Sequence, residues 1–296
     1  MENVIMDWVE LLLRWTHIIV GIAWIGSSFF FIWLDLSLRR RENGDPAVQG
    51  EAWMVHGGGF YFTEKYLNAP ERLPETLHWF KYEAYFTWIT GFLLLVVIYY
   101  FGADSFLIDP LVRDISQIEA ISLSVVLLAG GWIAYDLLCR SPIGSKTVLL
   151  AVAVFVLSVG SAWLFSQIFS GRGAYVHAGA AIGTMMVANV FFIIIPNQKK
   201  TVAALVSGQV PDPKWGVQAK QRSLHNNYLT LPVLLMMISG HYPITFGHEY
   251  NWVIFGAVVI LGGVIRDYFN TRNAGGKGLS TAWQWPVSVL MVIGLI

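Results

Sequence analysis

Long apolar runs alternate with short polar stretches along the whole chain, and their spacing predicts membrane-crossing helices. Runs of roughly 20 residues, enough to cross a ~30 Å hydrocarbon core, fall near 8–34, 78–101, 117–138, 147–169, 174–196, 225–246 and 250–270. An eighth covers 282–296. Trp and Tyr crowd the run ends, as interfacial anchors do. The pattern predicts an all-α fold: a polytopic membrane helical bundle of about eight transmembrane helices, with residues 1–296 forming one integral membrane domain.

Composition agrees. The chain is 55% hydrophobic and 13% charged, where a soluble domain carries about 25% charged residues. Zero net charge gives no reason to expect a nucleic-acid partner. The single cysteine, Cys139, excludes an internal disulfide, a CxxC metal site and the CxxCH attachment of a c-type haem within these residues. The opening MENVIMDW has no basic segment and no small-residue cleavage site, so the first run reads as a retained helix.

Basic residues sort by loop. The first loop holds Arg39, Arg40, Arg41, Lys65 and Arg72, and the third Arg140 and Lys146. Lys199, Lys200, Lys214, Lys220 and Arg222 fall in the fifth, Arg272 and Lys277 in the seventh. Even loops hold only Arg113 and Arg172. The positive-inside rule then places odd loops in the cytoplasm and the N-terminus outside. The final run, AWQWPVSVLMVIGLI, rises only ~22 Å and has no polar flank. That predicts a continuation, delivered to the periplasm by an eighth span.

Helices one and five carry His17 and His177. Helices two and six open with Leu-His, at Leu77 and Leu224. Helices three and seven share a glycine pair followed by an aspartate, ending at Asp136 and Asp267. Equivalent helices point the same way, so these matches suggest a parallel 4+4 repeat, with functional sites expected between the halves. Chance is the competing explanation, because glycine and apolar residues are common in spans.

The orientation sorts the polar residues into two clusters. Toward the cytoplasm lie His78, Trp79, Lys81 and Glu83; Asp136 and Arg140; His225, Asn226, Asn227 and Tyr228; Arg266 and Asp267; and Trp283 with Gln284. Toward the periplasm lie Arg14, His17, Glu119, Gln167, His177 and His241-Tyr242. Charges near helix ends ordinarily snorkel to the interface, which accounts for Lys81, Arg140 and Arg272; Arg266-Asp267 reads as a structural pair. A lone histidine near a helix end is usually just hydrogen-bonded. Histidines at matched depths, His78 with His225 and His177 with His241, point further, because haem b in a helical bundle needs two imidazoles at one depth. His17 lies ~13 Å past Trp8 along the helix, too deep to snorkel. In the first loop, Gly57, Gly58 and Gly59 follow His56 and precede aromatics. No GK[ST] follows, so this is not a phosphate loop. It reads as an ordered re-entrant or interfacial segment capping the inner cluster.

The stretches RWTHIIVGIAWIGSSFFF, VHGGGFYF, LHWFKYEAYFTWITGF and LHNNYLTLPVLLMMISGHYP resemble the bacterial membrane-bound, cytochrome c-linked urate oxidases, also called urate hydroxylases. In that family an eight-helix membrane domain precedes a periplasmic cytochrome c domain, which these residues lack. The first helix also resembles those of small haem-handling membrane proteins. The resemblance implies oxidation of urate to 5-hydroxyisourate in the bacterial inner membrane. Electrons would pass to cytochrome c, with haem c on the missing domain or a separate partner, and no hydrogen peroxide would form. Urate is a planar anion rich in donors and acceptors, which suits an Arg or amide fork and an aromatic face. Trp79, Arg140, Asn226, Asn227, Arg266 and Trp283 are the expected binding residues; His78, Glu83 and His225 are the expected bases. Haem b near His17, His177 and His241, as iron ligands, would carry electrons outward.

Two other classes compete. A purine or small-anion transporter would show broken helices, for which Pro232 is the main candidate and Pro286 lies near an end, while Pro196 closes helix five. A haem b redox protein acting on another substrate is the third. A reduced-minus-oxidised optical spectrum of the purified protein tests the haem expectation directly. A Soret change is expected, and a flat spectrum removes the haem.

Overall fold

A computed structural model describes residues 2–67, 70 and 73–296; Arg72, counted above in the first loop, lies outside the described residues. The helices are α1 (Glu2–Ser37), α2 (Tyr82–Leu94), α3 (Ala103–Phe106), α4 (Gln117–Arg140), α5 (Thr147–Ser166) and α6 (Gly171–Ala188). There follow α7 (Ile195–Val206), α8 (Pro213–Ser239), α9 (Pro243–Phe246), α10 (Asn251–Asn273), α11 (Leu279–Ala282) and α12 (Gln284–Leu295). Among the described residues, six helical stretches are long and apolar enough to cross a membrane: α1, α2 with its extension to Tyr100, α4, α5, the continuous α6–α7 stretch and α10. The membrane reading explains the outside of the bundle. Leu11, Leu12, Trp15, Ile18, Ile19 and Ile22 of α1 are all exposed, a surface that lipid tails solvate at no cost.

At the centre stands α6, whose Ala178, Ala181, Ile182 and Met185 are buried against α4, α5 and α8. The connections sort onto two faces. On one, Arg39 Nη2 donates to Asn273 O at 3.1 Å, joining the first loop to the seventh, and Gln221 Nε2 to Gly144 O at 2.7 Å, joining the start of α8 to the third loop. On the other, Ser170 Oγ donates to Phe106 O at 2.7 Å and Asn251 Nδ2 to Phe246 O at 3.2 Å. The basic loops thus share one face, as their parity requires.

Four expectations change. First, α2 begins at Tyr82, so His78 and Trp79 precede it in non-helical chain. Second, α8 begins at Pro213, a dozen residues before the apolar run. Asp212 caps it by accepting from Lys214 N at 2.9 Å, and proline suits the first turn, where its missing N–H costs nothing. Third, Pro196 does not end helix five. A π-helical turn, Asn189–Ile194, precedes it, and the wider turn absorbs the hydrogen bond that proline cannot make. Fourth, the first loop contains a two-stranded antiparallel hairpin, β1 (Val48–His56) and β2 (Gly59–Tyr66).

The hairpin explains the glycines. His56 pairs with Gly59, leaving a two-residue turn with φ of 58° at Gly57 and 80° at Gly58. Two positive φ values make a type I′ turn, which non-glycine residues resist. The hairpin base is bound to the end of α1 by Arg39–Glu51 backbone bonds of 3.0 and 2.9 Å and a Lys65–Asp35 ion pair of 2.6 Å. Glu119 likewise finds a structural role, in a capping box with Ser116 at the start of α4.

Pro232 lies inside α8 without breaking it, and its ring fits against Gly262 of α10. A Cβ at position 262 would sit 2.6 Å from Pro232 Cδ and 3.2 Å from Leu231 Cβ. Neither neighbour can turn away, because one is a closed ring and the other is the root of its side chain. Gly262→Ala is therefore expected to lower stability by about 1–3 kcal/mol, the usual cost of overpacking, read as a fall in melting temperature in detergent. An unchanged melt would show that the two helices are not in this contact.

Candidate functional site

Part of the cluster expected at one face comes together, and α8 divides it into two networks that face different neighbours. The first joins α8 to α4 and α6. Arg222 Nη2 donates to Asp136 Oδ1 at 2.6 Å, and its Nη1 to Asn189 Oδ1 at 3.2 Å. Arg140 Nε donates to Asp136 Oδ2 at 2.6 Å while its side chain stays largely exposed. Asn189 Nδ2 donates to Tyr135 OH at 3.0 Å and to Asn226 Oδ1 at 2.9 Å. Tyr135 OH lies 2.7 Å from His225 Nδ1, within hydrogen-bond distance. The Arg222 guanidinium also lies over the Tyr135 ring at 4.9 Å. Every strong group here has a partner.

The second network joins α8 to α10, α12 and α1, and its arginine has no carboxylate within ion-pair distance among the described residues. Arg266 is buried. It donates from Nε to Asn227 Oδ1 at 3.3 Å and from Nη2 to Asn270 Oδ1 at 3.2 Å. Asn270 Nδ2 donates to the same Asn227 oxygen at 3.0 Å. The guanidinium is stacked 3.9 Å from the Phe29 ring centroid. The expected pairing with Asp267 is not found: that carboxylate accepts from Tyr228 OH at 3.3 Å and from Gln284 Nε2 at 3.0 Å. Among the described residues Arg266 forms no salt bridge. Asn227 Nδ2 and Gln284 Oε1 are buried without a hydrogen-bond partner. A buried cation lacking an anion, and a buried donor and acceptor lacking partners, each cost free energy.

The remaining expected residues sit elsewhere. His78 is exposed and Trp79 half-buried, the latter against the apolar patch of Ala84, Val187, Val190 and Ile195. Glu83 occupies the first turn of α2. Trp283 is exposed, and its neighbour Gln284 is the residue turned inward. Asn226 and Arg140 belong to the first network, Asn227 and Arg266 to the second. Five participants were in neither expected cluster: Tyr135, Asn189, Arg222, Asn270 and Phe29. Arg222 was legible in principle, one helical turn before Asn226 on the same face, had the start of α8 been read at Asp212-Pro213. Phe29 offers no sequence signal.

On the opposite face the histidines separate. His177 is fully buried, with Nδ1 2.7 Å from Gly173 O and Nε2 2.6 Å from Ser124 Oγ. A carbonyl can only accept, so Nδ1 carries the proton and Nε2 takes the Ser124 hydroxyl. Phe169 and Phe165 enclose the ring at 4.6 and 5.6 Å. His17 Nδ1 lies 2.9 Å from Thr90 Oγ1, whose own proton goes to Phe86 O at 2.7 Å; His17 therefore donates, and its Nε2 keeps a lone pair. His241 is exposed in the turn after α8. Among the described residues no group of three or more His, Cys, Asp or Glu side chains comes together to hold a metal ion.

A family model described as urate oxidase N-terminal matches residues 3–296. No curated protein and no solved structure gives a match.

The two networks predict different responses to mutation. Asp136→Ala leaves Arg222 buried without its anion and is expected to cost about 3–5 kcal/mol, measured by thermal melting. Asp136→Ala combined with Arg222→Met removes the stranded charge and is expected to recover a good part of that loss. Equal destabilisation in the single and double variants would contradict the pairing.

Proposed function

The chain belongs to the urate oxidase N-terminal family, and from that membership we propose that it oxidises urate to 5-hydroxyisourate within the membrane, passing the electrons to a cytochrome c. One observation carries the placement of the site: Arg266, buried without a carboxylate and framed by Asn227, Asn270 and Phe29. Urate is a planar anion. The guanidinium attracts its charge, and its flat π-system suits an aromatic wall such as Phe29. Asn227 Nδ2 is free to donate to a urate carbonyl, and Gln284 Oε1 to accept from a urate N–H.

The reaction adds water and removes two electrons and two protons: urate + H2O → 5-hydroxyisourate + 2 H+ + 2 e−. Removal of electrons leaves C5 electron-poor, and the water oxygen bonds there. A proton acceptor is needed beside the anion, and Asp267, held by Tyr228 and Gln284, is next to Arg266 in the chain. His225 remains a relay in the neighbouring network, with its Nδ1 engaged by Tyr135. His78 and Glu83 lie outside both networks. The electrons leave to an acceptor of the cytochrome c class, carried on a further domain or a separate protein.

The basic face is the cytoplasmic one in this reading, so urate enters where it is made and the electrons must cross to the periplasm. Of the three histidines proposed for haem b, His17 keeps a lone pair on Nε2, its Thr90 hydrogen bond fixing the tautomer a ligand would need, while His241 is exposed in the turn after α8. His177 has both nitrogens engaged and does not fit as an iron ligand in this conformation. A haem there would supply a one-electron stepping point; nothing in the urate chemistry above depends on it. The transporter reading loses its main feature, because α8 runs unbroken through Pro232.

Eight spans follow if α8 and α12 cross with the six longer stretches, and helix order supports a 4+4 duplication. The contacts repeat: α1 packs on α2 as α6 on α8, and α4 on α5 as α10 on α12. The Leu-His motifs support it less, since one precedes α2 and the other lies inside α8.

Arg266→Gln tests the site. Loss of a charge-assisted contact of about 1.5–3 kcal/mol is expected to weaken urate binding roughly 10- to 100-fold by calorimetry on purified protein, with the thermal melt confirming the fold. Arg266→Lys should recover only part of the affinity. Wild-type affinity in Arg266→Gln would move the site elsewhere.

A further inference from the structure

Beside the Arg266 network, on the basic face, a hollow of ≈560 Å³ opens between the end of α10 and the start of α12. Its polar lining is cationic and its walls are aromatic: Arg272 and Lys277, with Tyr268 and Trp285. Arg272 Nη1 donates to Tyr268 OH at 2.8 Å, which holds the guanidinium against the wall. Tyr268 and Trp285 meet edge to face with centroids 5.2 Å apart. The loop between is shaped by glycine. Gly275 and Gly278 have φ of 95° and 62°, and a Cβ at Gly276 would sit 2.6 Å from Thr271 Cγ2 and 2.8 Å from its carbonyl. Gln284, between Trp285 and the helix α11 that borders the hollow, donates to both Ser280 O at 2.9 Å and Asp267 Oδ2 at 3.0 Å. Gln284 therefore links the segment bordering the hollow to the buried network.

We propose that this hollow is a capture site for planar aromatic anions, where urate is first held by Arg272 and Lys277 before it passes Gln284 to reach Arg266. The proposal rests on the urate reading above. The two positive charges raise the local concentration of an anionic substrate, an effect that acts on the association rate and is weakened by salt.

The experiment is stopped-flow quenching of the protein's tryptophan fluorescence by urate, in phosphatidylcholine vesicles that present no anionic headgroup. Arg272→Gln/Lys277→Gln is compared with Lys199→Gln/Lys200→Gln, which removes two exposed cations of α7 outside the hollow. Expected for the first variant is a fall of about tenfold in association rate at low ionic strength, together with a flattened salt dependence; expected for the second is little change. An equal fall in both would overturn the capture site, since the charge of the whole face would then be responsible, and no fall in the first would overturn it too. If the wild type binds urate and Arg266→Gln abolishes that binding while Arg272→Gln/Lys277→Gln associates normally, only the capture site fails. If the wild type does not bind urate, both readings fail.

Discussion

Polar side chains carried into an apolar helical bundle must satisfy one another, because the surroundings offer neither water nor counter-ions. In this protein that requirement is met along the first half of α8. Arg222, His225 and Asn226 face α4 and α6; Asn227 and Tyr228 face α10. Adjacent positions on a helix point about 100° apart, so Asn226 and Asn227 are obliged to serve different neighbours. The two networks are a consequence of that geometry. They hold α4, α6, α8, α10 and α12 in register at one end of the bundle, where apolar packing alone would leave the helices free to slide.

The contrast between the two arginines gives the cluster its meaning. Arg222 has Asp136 within 2.6 Å, so its charge is neutralised and it behaves as a fastening. Arg266 has amide oxygens and an aromatic face instead. Amide dipoles reduce the cost of burying a charge but do not cancel it. A protein that keeps such a residue holds a standing attraction for an anion, and the proposed urate site is built on that attraction. The opposite face shows the reverse arrangement. There His177 is closed off by Gly173, Ser124 and two phenylalanines, and it is spent on holding α6 to α4.

Much was legible in the sequence. Apolar runs predicted the long helices, loop parity put Asp136, Asn226, Asn227, Arg266 and Asp267 at one end, and the quoted motifs carried the family. The hairpin was missed although its strongest sign, consecutive glycines between aromatic strands, was noticed. Helix ends were the commonest error, since the start of α8 is set by the Asp212 cap and not by hydrophobicity. Pro196 misled for a related reason: a π-helical turn can absorb a proline that would otherwise end a helix.

What the sequence determined by itself was which residues are present, how far each lies along its helix, and on which face the loops gather, because hydrophobic length and charge parity depend on order alone. Which polar group meets which was decided only by the tertiary structure. Rotation of each helix about its axis decides which neighbours its side chains meet: on α10 it aims Arg266 at Asn227 and Phe29, and Asp267, about 100° further round, at Tyr228 and Gln284. It also takes both nitrogens of His177 into hydrogen bonds and leaves one free on His17. Those rotations are fixed by packing between segments far apart in the chain, such as Pro232 against Gly262, and packing of that kind leaves no local trace in a sequence.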